Sequence, residues 1–277
     1  MPTASSVEGI IMIDVLLQPF MLRALAAGVL LSALAGYYGV FVVQRRLSFL
    51  GAGLGHAAFG GIALGLLLGV QPLWIAIPFT LAVGVGIAWI REHTRLAADT
   101  AIGIFFSVSV ALGILFLSLS AGRNADAFSY LFGSLLSVTG ADLWVSSLLL
   151  VAGILTTPKL WGDWAYATFD SEAARVSGTP TRGQDTLLIA MLAATIVVSL
   201  KVVGILLVAA WVVVPAASAR LLASTFGGMT RLSVLLAMAT TVVGLVLSVA
   251  FDVPTGAMIV LVQAAVFLVI MLVHRAE

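Results

Sequence analysis

The sequence predicts an all-α integral membrane protein, a polytopic helical bundle of about eight or nine spans. Three observations predict it. Of 277 residues, 62% are hydrophobic and 9% charged, where a soluble domain carries roughly a quarter charged residues. Mean hydropathy is +1.20. The apolar residues also gather into stretches near the ~20 residues that a helix needs to cross a bilayer.

In chain order these stretches are about 21–43, 50–70, 72–91, 100–119, 142–160, 186–200, 202–222, 230–250 and 254–273. The first closes on Arg45 and Arg46, and the second runs on to Val70. Arg91 bounds the third, and Asp99 opens the fourth, where an N-cap is expected. Residues 127–138, AFSYLFGSLLSV, read as a short interfacial or re-entrant helix. Only Lys201 separates 186–200 from 202–222, and the first of these is short. One of the pair dipping without crossing would leave eight spans. Lys201 itself is expected near the outer surface, snorkelling or bonded to carbonyls.

Residues 1–20 form an N-terminal extracytoplasmic segment in this reading, with 7–20 as a helix lying on the membrane. Glu8 and Asp14 stand where a signal peptide would carry basic residues, so no cleavable signal is expected. Residues 21–277 make a single transmembrane domain, with a polar loop at about 160–185. If that loop is cytoplasmic, so are Arg45, Arg46, Arg91, Arg95, Lys159, Arg175, Arg182, Arg220, Arg231 and Arg275. Arg23, Arg123 and Lys201 then face outward. Basic residues favour the cytoplasmic side, so the N-terminus is placed outside and the C-terminus inside, as long as the span count is odd.

On the second span, Gly53, Ala57, Gly61, Gly65 and Gly69 recur at every fourth residue. Such a stripe of small residues lets another helix approach closely within lipid. His56 lies on the neighbouring ridge, toward the protein interior. It is either a pathway ligand or a neutral imidazole bonded to a helix carbonyl. Asp252, before Pro254, is either a cation-attracting residue at the outer mouth or a turn residue.

The polar loop contains TFDSEAARVSGTP, residues 168–180. Asp170 suits an N-cap, Glu172 the first turn, Ala173 and Ala174 the body, and Gly178 the left-handed end. Phe169, Ala173 and Val176 fall at i, i+4 and i+7. This apolar face either meets a partner or lies on the protein's own membrane domain.

Several classes are excluded. A net charge of +1 gives no basic face for nucleic acid. No cysteine means no disulfide and no thiolate ligand. Gly178 to Gly183 lacks the Lys and Ser/Thr of a phosphate loop. Gly51, Gly53 and Gly55 follow no strand. His93 and His274 read as surface residues. No acid falls well inside a span, which counts against a gradient-driven secondary transporter, and no catalytic pair lies at membrane depth.

The stretches GVFVVQRRLSFLG, GHAAFGGIALG, ADTAIGIFFS, SYLFGSLLSVT, FDSEAARVSG, LKVVGILLVAAWVVVPAASARLL and FDVPTGAMIVL stand in an order and spacing that resembles the permease subunit of bacterial ABC importers for divalent metals, the zinc and manganese uptake family. The resemblance runs from about Arg23 to Leu272. It implies a type II importer permease in the cell membrane, working as a homodimer and moving zinc or manganese as cargo, with no cofactor of its own. It implies two copies of an ATP-binding subunit on the cytoplasmic side and an extracytoplasmic metal-binding protein. It makes Phe169–Gly178, including Arg175, the coupling helix that seats in the ATPase, with ATP hydrolysis in the partner and no enzyme activity in this chain. Members usually carry a carboxylate where this chain has Ala52, often a small polar residue at Gly55, and often an acid at Ser134. A metal chelate or cobalamin-like cargo is the alternative that the missing carboxylate leaves open.

Overall fold

The computed structural model describes residues 18–94, 96–120, 130–131, 133 and 138–275, the side chain of Arg275 excepted. The expected surface helix at the N-terminus, Arg95, Ser134 and most of 127–138 lie outside these residues.

Every regular element among the described residues is helical. In chain order they are α1 (Pro19–Gln44), α2 (Leu50–Leu68), α3 (Pro72–His93), α4 (Ala98–Leu119), α5 (Gly140–Phe169), α6 (Ser171–Val176), α7 (Thr181–Val203), α8 (Val208–Leu222), α9 (Phe226–Phe251) and α10 (Thr255–Arg275). Eight of them are long and apolar enough to cross a membrane, and α8 is a shorter apolar helix. Backbone groups in hydrocarbon must be satisfied within the segment, and helices do this.

α1, α2 and α7 are the most buried spans; α4, α5 and α10 turn most of their surface outward. α1 packs on α5, α7, α8 and α9, while α2 packs on α3 and α4. Polar links tie the apolar core together. Ser233 Oγ donates to the Gly36 carbonyl at 2.7 Å, and Trp211 Nε1 donates to Thr241 Oγ1 at 3.0 Å.

Three boundaries differ from expectation. α7 is the long helix of the questioned pair and α8 the short one. The break is not at Lys201 but at Gly204, whose φ of 87° and ψ of 157° suit only glycine. The next amides are taken from elsewhere in the chain: Ile205 N–H donates to the Tyr130 carbonyl at 3.0 Å and Leu206 N–H to the Leu131 carbonyl at 3.4 Å. Second, the 160–185 loop is largely helix. α5 continues to Phe169 and α7 begins at Thr181, because Trp164 is an apolar anchor there rather than a loop residue. Its Nε1 donates to the Gln184 carbonyl at 2.9 Å, and Gln184 Nε2 donates to Asp163 at 2.8 Å. Third, Asp99 does not cap α4. The N-cap is Ala97, and Asp99 sits in the first turn, where its charge suits the helix dipole.

Candidate functional site

His56 lies on α2, half-buried. Its Nδ1 is 2.9 Å from the Ala52 carbonyl one turn earlier. A carbonyl only accepts, so Nδ1 carries a proton, and in the neutral ring the lone pair is on Nε2. The ring lies against Phe106 of α4, centroids 4.4 Å apart. The helix bond and the aromatic neighbour together fix the imidazole's tautomer and attitude, as the partners of metal-ligating histidines do. No hydrogen bond or ion pair joins His56 to Asp252, and no group of three or more His, Cys, Asp or Glu side chains forms among the described residues.

The small residues around His56 set its position. A Cβ on Gly53 would come within 2.7 Å of Ile102 in α4. On Gly61 it would lie 2.6 Å from the Ala76 Cα, and on Gly65 2.7 Å from the Pro72 Cα, both in α3. Ala57 is fully buried, and Gly69 ends the helix at φ 69°. The stripe therefore touches two neighbours, α4 at its start and α3 at its end.

Asp252 is exposed and left-handed at φ 51°, ending α9; Asp is among the few residues that accept this conformation. Ser248 Oγ donates to the Val253 carbonyl across this turn at 2.6 Å.

At the end of the bundle where α1 closes, Arg45 donates to Asp185 at 2.6 Å, to Thr168 Oγ1 at 2.8 Å and to the Trp164 carbonyl at 3.3 Å. This one guanidinium joins α1, α5 and the start of α7. Beside it stands α6. Asp170 caps it, accepting from the amides of Glu172 at 3.1 Å and Ala173 at 2.8 Å, and Gly178 follows at φ 84°. The expected i, i+4, i+7 stripe does not form on one helix, because Asp170 breaks the chain between Phe169 and α6. Phe169 ends α5, 61% exposed, with its ring edge-on to Phe226 at 5.3 Å. Within α6, Ala174 is fully buried and Val176 is 89% exposed. Arg175 Nε donates to the Ser171 carbonyl at 3.3 Å.

The sequence announces neither ion pair, and the second is the more deeply buried. Lys201 does not snorkel: its Nζ lies 2.8 Å and 2.9 Å from the two oxygens of Asp142. The two side chains are 9% and 12% exposed. Asp142 also completes a capping box with Thr139 at the start of α5. Opposite charges near the predicted ends of two spans were the available signal.

The profile of the ABC 3 transport family matches residues 17–274. The chain is 31% identical over 244 residues to the high-affinity zinc uptake system membrane protein of Haemophilus influenzae, covering 88% of this chain and 94% of that protein. It is 33% identical over 250 residues to the manganese import system permease protein of Streptococcus gordonii, covering 90% of each. Its fold matches the solved structure of PsaBC from Streptococcus pneumoniae in complex with Fab, with a TM-score of 0.83, 32% identity and 94% of each chain covered. With helices fit to span a membrane and a family profile covering nearly its whole length, the chain belongs to the ABC 3 transport family, as a membrane permease subunit.

Proposed function

We propose that this permease imports a divalent metal ion, zinc or manganese, with His56 as the pathway ligand. The observation that carries the reading is the His56 ring: its Nδ1 makes the helix-carbonyl bond that stood as the alternative to a pathway role, yet that bond leaves Nε2 of a neutral imidazole as a nitrogen donor of the kind these metals accept. The relatives named for zinc and manganese support the cargo class. One imidazole per chain makes a weak site, which suits an ion that must leave as readily as it enters. Two copies of the chain form the pathway between them, and each brings its own His56.

The chain binds no cofactor and hydrolyses nothing. Two ATP-binding subunits sit at the end of the bundle that carries Arg45 and α6, which is the cytoplasmic end. The Phe169–Gly178 segment transmits their closure, with Phe169 and Val176 exposed for contact and Asp170 holding the short helix in shape. An extracytoplasmic metal-binding protein delivers the ion to the opposite end, where Asp252 adds negative charge at the mouth.

Ala52 in place of a carboxylate favours a second cargo, a metal chelate, which needs fewer protein ligands. Uptake by the complete transporter in vesicles, measured with zinc, manganese and a chelated metal, separates the two. Free-metal uptake that falls at least tenfold in His56→Ala is expected. Chelate uptake indifferent to that substitution, with no free-metal uptake, would overturn the assignment.

A further inference from the structure

A cavity of about 240 Å³ opens between the end of α3, the end of α5, α6 and the start of α7. Its charged lining is Arg91, Glu92, Arg175, Arg182 and Asp185, and Ser171 adds a hydroxyl. Asp185 is already held by Arg45 at 2.6 Å. Among the described residues, neither Arg91 nor Arg182 hydrogen-bonds an acceptor, and Arg175 uses its Nε on its own helix. Arg91 is half-buried, within electrostatic reach of Asp185, Glu92 and Arg45. Counting Arg45, guanidinium charge outnumbers carboxylate charge here. α7 also starts without a side-chain cap, and its dipole adds positive potential. A planar fork with unused donors is built to take a carboxylate or phosphate oxygen.

From this geometry we infer that the cavity receives an acidic side chain of the ATP-binding subunit, as a second point of docking beside α6. The inference rests on the proposed docking of α6. The wall formed by Ser171 and Arg175 belongs to α6 itself, and Val176 stands exposed one residue further on. A partner that covers Val176 therefore passes the mouth of the cavity. A lipid phosphate is the less favoured occupant. α6 follows a helix of about 45 Å, longer than a hydrocarbon core of about 30 Å, and its exposed Val176 and capped polar start suit a protein partner better than a headgroup layer. The partner's carboxylate would meet Arg91 and Arg182 directly, while Glu92 would repel it.

The test uses the purified permease in detergent and the separately purified ATP-binding subunit, with affinity measured across a salt series. Arg91→Gln/Arg182→Gln should bind about tenfold more weakly and lose much of the salt dependence. Glu92→Gln, at an exposed position, should bind several-fold more tightly. Tighter binding by Glu92→Gln cannot arise from misfolding, so it is readable even if the double variant folds poorly. Ala173→Arg, on α6, reports the underlying docking separately. If Ala173→Arg abolishes binding while the cavity variants bind as the parent does, the cavity inference fails and the α6 reading stands. If none of the variants changes binding, both fail. If the cavity variants instead lose retention of phosphatidylglycerol over phosphatidylcholine, with ATPase affinity unchanged, the site is a lipid site and the inference is overturned.

Discussion

His56 is defined by a bond it makes to its own helix. Because Nδ1 is occupied by the Ala52 carbonyl, any ligand must approach Nε2. His56→Ala should cut metal uptake by the complete transporter at least tenfold while the ATP-binding subunits still co-purify. Unchanged uptake would remove His56 from the pathway. The glycines next to it are packing residues with a measurable cost. Gly61→Ala drives a methyl to 2.6 Å from backbone in α3, and should destabilise by about 1–3 kcal/mol in thermal unfolding. Gly103→Ala meets nothing within 4 Å, and should be neutral or stabilise by up to about 1 kcal/mol. The four-residue repeat was legible in the sequence, but its division between α4 and α3 was not. A repeat gives a face and leaves open how many helices share it.

At the scale of elements, the ends of helices were hardest to read. Lys201 looked like a boundary because a lone charge in an apolar run suggests water. Its partner, Asp142, is 59 positions away, and nothing local announces the pairing. The true break at Gly204 rests on a backbone conformation that glycine permits but does not advertise. α6 was legible because its signals are local: a capping Asp170 before it and Gly178 after it. Phe169 belongs to the preceding helix because Asp170, the cap, interrupts the i, i+4, i+7 spacing. The Lys201–Asp142 pair braces α7 against the start of α5. Lys201→Met strands a buried carboxylate and should cost about 3–5 kcal/mol, whereas Lys201→Met/Asp142→Asn should recover most of that loss. Chemical unfolding in detergent checks both. Equal stability of the single and double variants would show that the pair does not act as a unit.

For the whole molecule, the spans were legible because hydrocarbon thickness imposes a length that composition alone reveals. The direction of the chain rests on the distribution of lysine and arginine. Since the sequence has no cysteine, single cysteines can be introduced without background. A membrane-impermeant thiol reagent applied from outside should label position 125 and leave position 180 unlabelled; the reverse pattern would invert the topology.

The short α8 has a consequence for the folded chain. Its 15 residues reach only about 22 Å, and the amides just before it rest on carbonyls from residues 130 and 131. Backbone amides buried away from water need such partners. The start of α8 is therefore completed by an earlier part of the polypeptide, and in the folded protein it is not an independent unit.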